Sequence, residues 1–129
     1  MSLFNVMDIK TKDIEKELVN LYYCSIKKKS DIDPEYAQYQ IDIIKFFFKL
    51  LSIYTNENHL VILNKLYFTR WNIKEIGVKA TAIKLYLEER TLFSYRKRYC
   101  GIINEIIKGF KETYLFNQTL TQFPCNINK

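Results

Sequence analysis

Only three glycines and two prolines punctuate this chain of 129 residues. Tight turns draw on these two residue types, because glycine reaches positive φ without strain and proline pre-sets φ near about −65°. A chain so poor in both must run in few, long elements. That favours helices over a many-stranded sheet.

The spacing of apolar residues agrees. From Asp13 to Lys28, Ile14, Leu18, Leu21, Tyr22 and Ile26 mark one face of a helix that "KKKSD" then breaks. "DPEY" restarts the chain, with Asp33 able to cap and Pro34 suited to the first helical position. In the following helix, 34–54, the polar residues Asp42, Lys45, Lys49 and Ser52 form a narrow stripe. The rest, including Phe46, Phe47 and Phe48, reads as a central core helix, with a dimer-forming helix as the next reading. "TNEN" is another restart with Asn56 as its cap, and a helix spans about 57–68 with His59 in its first turn. "RWNIKEIG" reads either as a helical turn or as a loop ended by Gly77. A short helix at about 80–86 and a long one at about 89–114 follow, and the tail "NQTLTQFPCNINK" lacks periodicity.

The expected fold is therefore all-α: one domain over 1–129, with a helical part at 1–55 and a second part at 57–114 that ends on a long helix. Hydrophobic residues at 48% and aromatics at 16% exclude wholesale disorder. Cys24, Cys100 and Cys125 are too far apart for a zinc motif, and His59 is the only histidine, so neither a metal centre nor a histidine-based triad is expected. Asp31 and Asp33 read as turn and capping residues. The three glycines make no phosphate loop, so neither an enzyme nor a bound cofactor is expected. "MSLFNVMDIK" has no leader pattern, and the apolar run 41–54 holds three charges, which points to a cytoplasmic protein without a membrane role.

Winding residues 90–110 at about 100° per residue puts Leu92, Tyr95, Tyr99, Ile102, Ile103, Ile106, Ile107 and Phe110 within an arc of about 140°. Arg90, Ser94, Lys97, Gly101, Asn104, Glu105 and Lys108 lie opposite. Arg96 points near the core arc, where an acid is its natural partner. Between 90 and 111 there are six bases and one acid, +5 against +6 for the whole chain, and three of the four arginines fall here. Guanidinium groups bind phosphate or guanine edges in a bidentate way that lysine cannot.

The stretch "TAIKLYLEERTLFSYRKRY" resembles the helix-turn-helix of bacterial and phage transcription regulators, as in sigma-factor C-terminal domains and ArpU-type late-gene regulators. Ala82 matches the small residue where the two helices cross, Leu85 and Leu87 match the apolar pair flanking the turn, and Arg90 to Phe93 match the start of the recognition helix. Arg96, Lys97 and Arg98 match its basic middle. The match covers about residues 57–112, with Tyr86 where the turn usually has glycine, Glu88 in place of a serine cap and Thr81 in place of isoleucine. An alternative register would use Gly77 as the turn and residues 79–87 as the reader.

The resemblance implies a DNA-binding regulator of phage or prophage type, with the helix at about 89–99 in the major groove of double-stranded DNA and RNA polymerase as a further partner. Its contacting residues would be Glu89, Arg90, Phe93, Ser94 and Lys97, with Thr91 and Arg98 on phosphates. Arg90 is the residue for a guanine contact; Phe93 suits a thymine methyl or the core equally. A homodimer is expected, since regulators of this size usually read two half-sites, and the helix at 41–54 is a candidate interface. Two other functions fit the same residues: a small terminase-like packaging component, and a helical protein-interaction module whose basic face meets an acidic partner.

Overall fold

The computed structural model describes residues 7–27 and 33–121, with side chains described over 7–26 and 33–109. Five helices and no strand occur among them: α1 (Ile9–Lys27), α2 (Pro34–Thr55), α3 (His59–Tyr67), α4 (Ile73–Leu85) and α5 (Glu89–Thr121). The all-α class is as expected.

α2 begins as its sequence requires: Asp33 accepts a hydrogen bond from the Glu35 amide at 3.4 Å, and Pro34 is the first helical residue. It ends on Asn56 in the left-handed conformation, at φ 59°. Asn56 therefore closes α2, and Asn58 precedes α3, whereas Asn56 was expected to open α3. His59 sits in the first turn of α3, fully buried. Its Nδ1 pairs with the Tyr99 hydroxyl at 2.6 Å, and its Nε2 lies 2.9 Å from a Glu57 carboxylate oxygen without a well-directed hydrogen bond.

One core joins the bundle. Leu18 from α1, Ile41, Ile44 and Phe48 from α2, Leu63 and Leu66 from α3, and Leu92, Tyr99 and Ile103 from α5 are almost wholly buried. Burying each such aliphatic or phenyl side chain contributes roughly 1.5–3 kcal/mol. The Phe48 ring meets Tyr99 edge-on, with centroids 4.9 Å apart. Ala82 is buried in α4, where a small side chain allows close approach.

A buried polar hub ties α1, α3 and α5. Arg96 Nε and Nη2 donate to the two carboxylate oxygens of Glu15 at 2.8 and 2.6 Å, and the Tyr67 hydroxyl donates to Glu15 at 2.5 Å. The pairing of Arg96 with an acid follows from its place on the helix arc. Burial opposes the Arg96 charge, yet the Glu15 carboxylate overcomes this and holds the guanidinium above its ordinary pKa. Burial raises the Tyr67 phenol well above its usual range, and pushes the neighbouring Cys100 thiol up to about 12. Cys24 and Cys100 are both buried.

Two further expectations need correction, and one open alternative is decided. Within the triplet of α2, Phe48 is buried, but Phe46 and Phe47 are 58% and 46% exposed. α2 is a surface helix that turns only one side inward, while Lys45 and Ser52 of the expected wet stripe are half-buried. "RWNIKEIG" resolves into a helical turn, because the Asn72 side chain caps it by accepting from the Lys74 and Glu75 amides at 3.0 and 3.3 Å. α4 thus starts at Ile73; Gly77, at φ 86° and ψ 172°, ends this first turn as its sequence suggested, and the helix resumes beyond it to Leu85. Finally, α5 runs past Tyr114 to Thr121. The expected break at 28–31, Asp31 and Cys125 lie outside the described residues.

Candidate nucleic-acid interface

The corner between α4 and α5 is a three-residue turn. α4 closes at Tyr86, which takes the left-handed conformation at φ 57° and ψ 40°. The Tyr86 amide donates to Ile83 O at 3.1 Å and the Leu87 amide to Ala82 O at 2.9 Å, the paired pattern of a Schellman ending. Glycine usually takes this conformation, because a side chain there crowds the backbone. Here a tyrosine does so with its side chain almost wholly in solvent, at 95% exposure. Gly77 also has positive φ, but with ψ at 172° it is extended rather than left-handed, and only a single helical turn separates it from Asn72.

From Glu89 onward α5 presents two sides. Leu92, Tyr99, Cys100 and Ile103 enter the core, while Glu89, Arg90, Thr91, Ser94, Lys97 and Arg98 are exposed. Phe93 is half-buried. The exposed row continues through Gly101, Glu105 and Lys108, where Lys108 and Glu105 approach to 3.8 Å. The three consecutive bases therefore diverge. Arg96 is consumed by Glu15, whereas Lys97 and Arg98 face water.

Not every charge on this face is unopposed. Lys97 Nζ lies 3.8 Å from Asp8, with both side chains about half exposed, and also 6.0 Å above the Phe93 ring. Thr11 donates its backbone amide to Asp8 at 2.7 Å, and that bond, more than Lys97, holds the Asp8 carboxyl below its usual pKa. At such exposure the ion pair is worth little. Glu88 and Glu89 stand at the leading end, where they suit the positive end of the helix dipole but repel phosphates close by. Arg90 is exposed beside them, and its carbonyl accepts from the Ser94 hydroxyl at 3.3 Å.

Lys84, which the alternative register would need as a contacting base, is committed elsewhere. Its ammonium donates to the Lys65 and Trp71 carbonyls at 2.9 Å each, closing the end of α3, and burial lowers its pKa. The sequence reading did not single out Ile83, which is 76% exposed beside Tyr86 on the outer side of the same corner. Its place beside Ala82, one of the crossing residues, offered no signal of exposure.

Among the described residues no cluster of His, Cys, Asp and Glu could hold a metal ion, and no helix is long and apolar enough to cross a membrane. No known protein family, curated protein or solved structure matches this chain.

Proposed function

We propose that the protein binds double-stranded DNA through the exposed face of α5, as a regulator of the phage helix-turn-helix type that residues 81–99 resemble. The observation that carries this reading is the division of labour at the start of α5. Leu92, Tyr99 and the Arg96–Glu15 pair anchor one side of the helix, and Arg90, Ser94, Lys97 and Arg98 are left together on the other. A rod anchored in this way can enter the major groove, about 12 Å wide, without unfolding its support. Arg90, nearest the leading end, is the base-reading residue, and Lys97 and Arg98 hold phosphates.

A second reading draws on the corner itself. Ile83 and Tyr86 expose apolar surface next to Glu88 and Glu89, a composition suited to a protein partner rather than to a phosphate backbone. Selection of bound duplexes from a random pool separates the two. The DNA reading expects an enriched sequence, relaxed at one position by Arg90→Ala, while Lys97→Ala lowers affinity across all sequences. A packaging role would give binding without enrichment, and a protein-interaction module would give neither.

A further inference from the structure

α2 has a second apolar side that its own fold does not use. Tyr36, Ile43, Phe47, Leu50 and Tyr54 follow one another at steps of seven, four, three and four, the spacing of a heptad seam, and Gln40 fills the one polar position within it. All but the half-buried Ile43 are exposed, from 39% at Leu50 to 88% at Tyr54, and Phe46 and Ile53 widen the stripe along one border. Inside the bundle the helix is already satisfied through Ala37, Ile41, Ile44 and Phe48 on the opposite side.

We propose that this stripe is a self-association seam, on which α2 of a second copy packs antiparallel. Three features favour a second copy. The heptad spacing holds over nearly the whole 22-residue helix, and a seam of this kind is complementary to itself under a twofold axis. The exposed side chains offer on the order of 700 Å² per copy, taking aromatic residues at about 150–250 Å² each. Stable interfaces bury about 800 Å² per partner.

Charge sets the direction. Glu35, Asp42 and Lys49 lie seven residues apart along the border beyond Phe46 and Ile53, acids towards the start of α2 and the base towards its end. An antiparallel twofold brings this border against itself reversed, so that Asp42 approaches Lys49 of the partner subunit, twice. Parallel packing would set the border against the other edge of the stripe, at Leu51, where there is no charge to meet it.

The seam stands whether or not α5 binds DNA. If it does, the arrangement has a consequence. The Phe48 ring on the inner side of α2 meets Tyr99 on the inner side of α5, so the outer sides of the two helices look away from each other. A dimer built on α2 carries its two α5 faces back to back, a geometry for bridging two duplexes rather than for reading half-sites one helical turn apart.

Sedimentation equilibrium of the whole chain without DNA, over a range of micromolar concentrations, tests the seam. The expected result is a reversible dimer. Phe47→Glu or Leu50→Lys should weaken association by on the order of thirtyfold or more while the helical circular dichroism is retained. Asp42→Lys and Lys49→Asp each weaken it, and the combined exchange restores it. A monomer at every concentration overturns the proposal, as does a dimer indifferent to Phe47 and Leu50. A combined exchange weaker than either single change overturns the antiparallel direction. The charge variants are exposed and away from the core, so they remain readable even if an apolar-to-charge variant misfolds.

Discussion

α2 and α5 share a core, and each sends aromatic side chains into it; they differ on the side that faces away. On α2 that side carries Tyr36, Phe47, Leu50 and Tyr54 with no charge among them, while on α5 it carries Arg90, Ser94, Lys97 and Arg98. Burial of the inner sides explains why the chain folds, and it explains neither outer composition. Large exposed apolar stripes are rare on monomers and mark contact surfaces, whereas cationic stripes mark sites for polyanions. The two proposals rest on this difference: association through α2 and polyanion binding through α5, on opposite sides of one core.

The largest effects should follow from erasing the contrast between inner and outer positions on one helix. Arg96→Ala strands the buried Glu15 carboxylate and is expected to cost about 3–5 kcal/mol in urea denaturation. Arg98→Ala, two residues on and exposed, should stay within about 0.5 kcal/mol. Equal losses from both would mean that the outer face also supports the fold. On α2, Phe48→Ala is expected to remove about 3–5 kcal/mol from the core. Phe47→Ala should leave the stability of the isolated subunit within about 1 kcal/mol and act on association instead.

Smaller changes sharpen the comparison. Tyr86→Gly releases a tyrosine from the left-handed conformation without removing any buried contact, so stability should rise by about 1 kcal/mol. Loss of stability would show that the exposed ring has a structural task. Asp8→Asn removes the acid beside Lys97, and DNA affinity at low salt should rise a few-fold. The Asp8 carboxyl is held below its ordinary pKa by the Thr11 amide. Its stabilising contribution is therefore present above the unfolded-state pKa and is lost as pH falls through the lowered folded-state value. A pH titration of Asp8→Asn should lack that acid-side component.

Much of this was legible because it is local. The Asp33–Pro34 start, His59 in a first turn and the inner arc of α5 all follow from spacing within a few residues. Arg96 could be read as turned inward for the same reason, but its partner could not. Glu15 is 81 positions away, and no periodicity links them. The exposure of Phe46 and Phe47 was hidden for a different reason. Apolar residues surround most of α2, and a pattern apolar on two sides does not reveal which side meets the molecule's own core and which stays exposed. The Asn72 cap was missed because an asparagine in a polar stretch suits a loop as well as a helix start, and only the folded backbone decides.

The salt dependence of duplex binding tests the account most directly. Fluorescence anisotropy of a labelled duplex, titrated with the whole chain at increasing KCl, should show log K falling against log salt with a slope of about −2 or steeper for the phosphate contacts of Lys97 and Arg98. Lys97→Ala and Arg98→Ala should each flatten that slope by about one, while Arg90→Ala lowers affinity and relaxes sequence preference with the slope little changed. Absence of binding at low salt, or an unaltered slope in both Lys97→Ala and Arg98→Ala, would contradict a DNA-binding role for the outer face of α5.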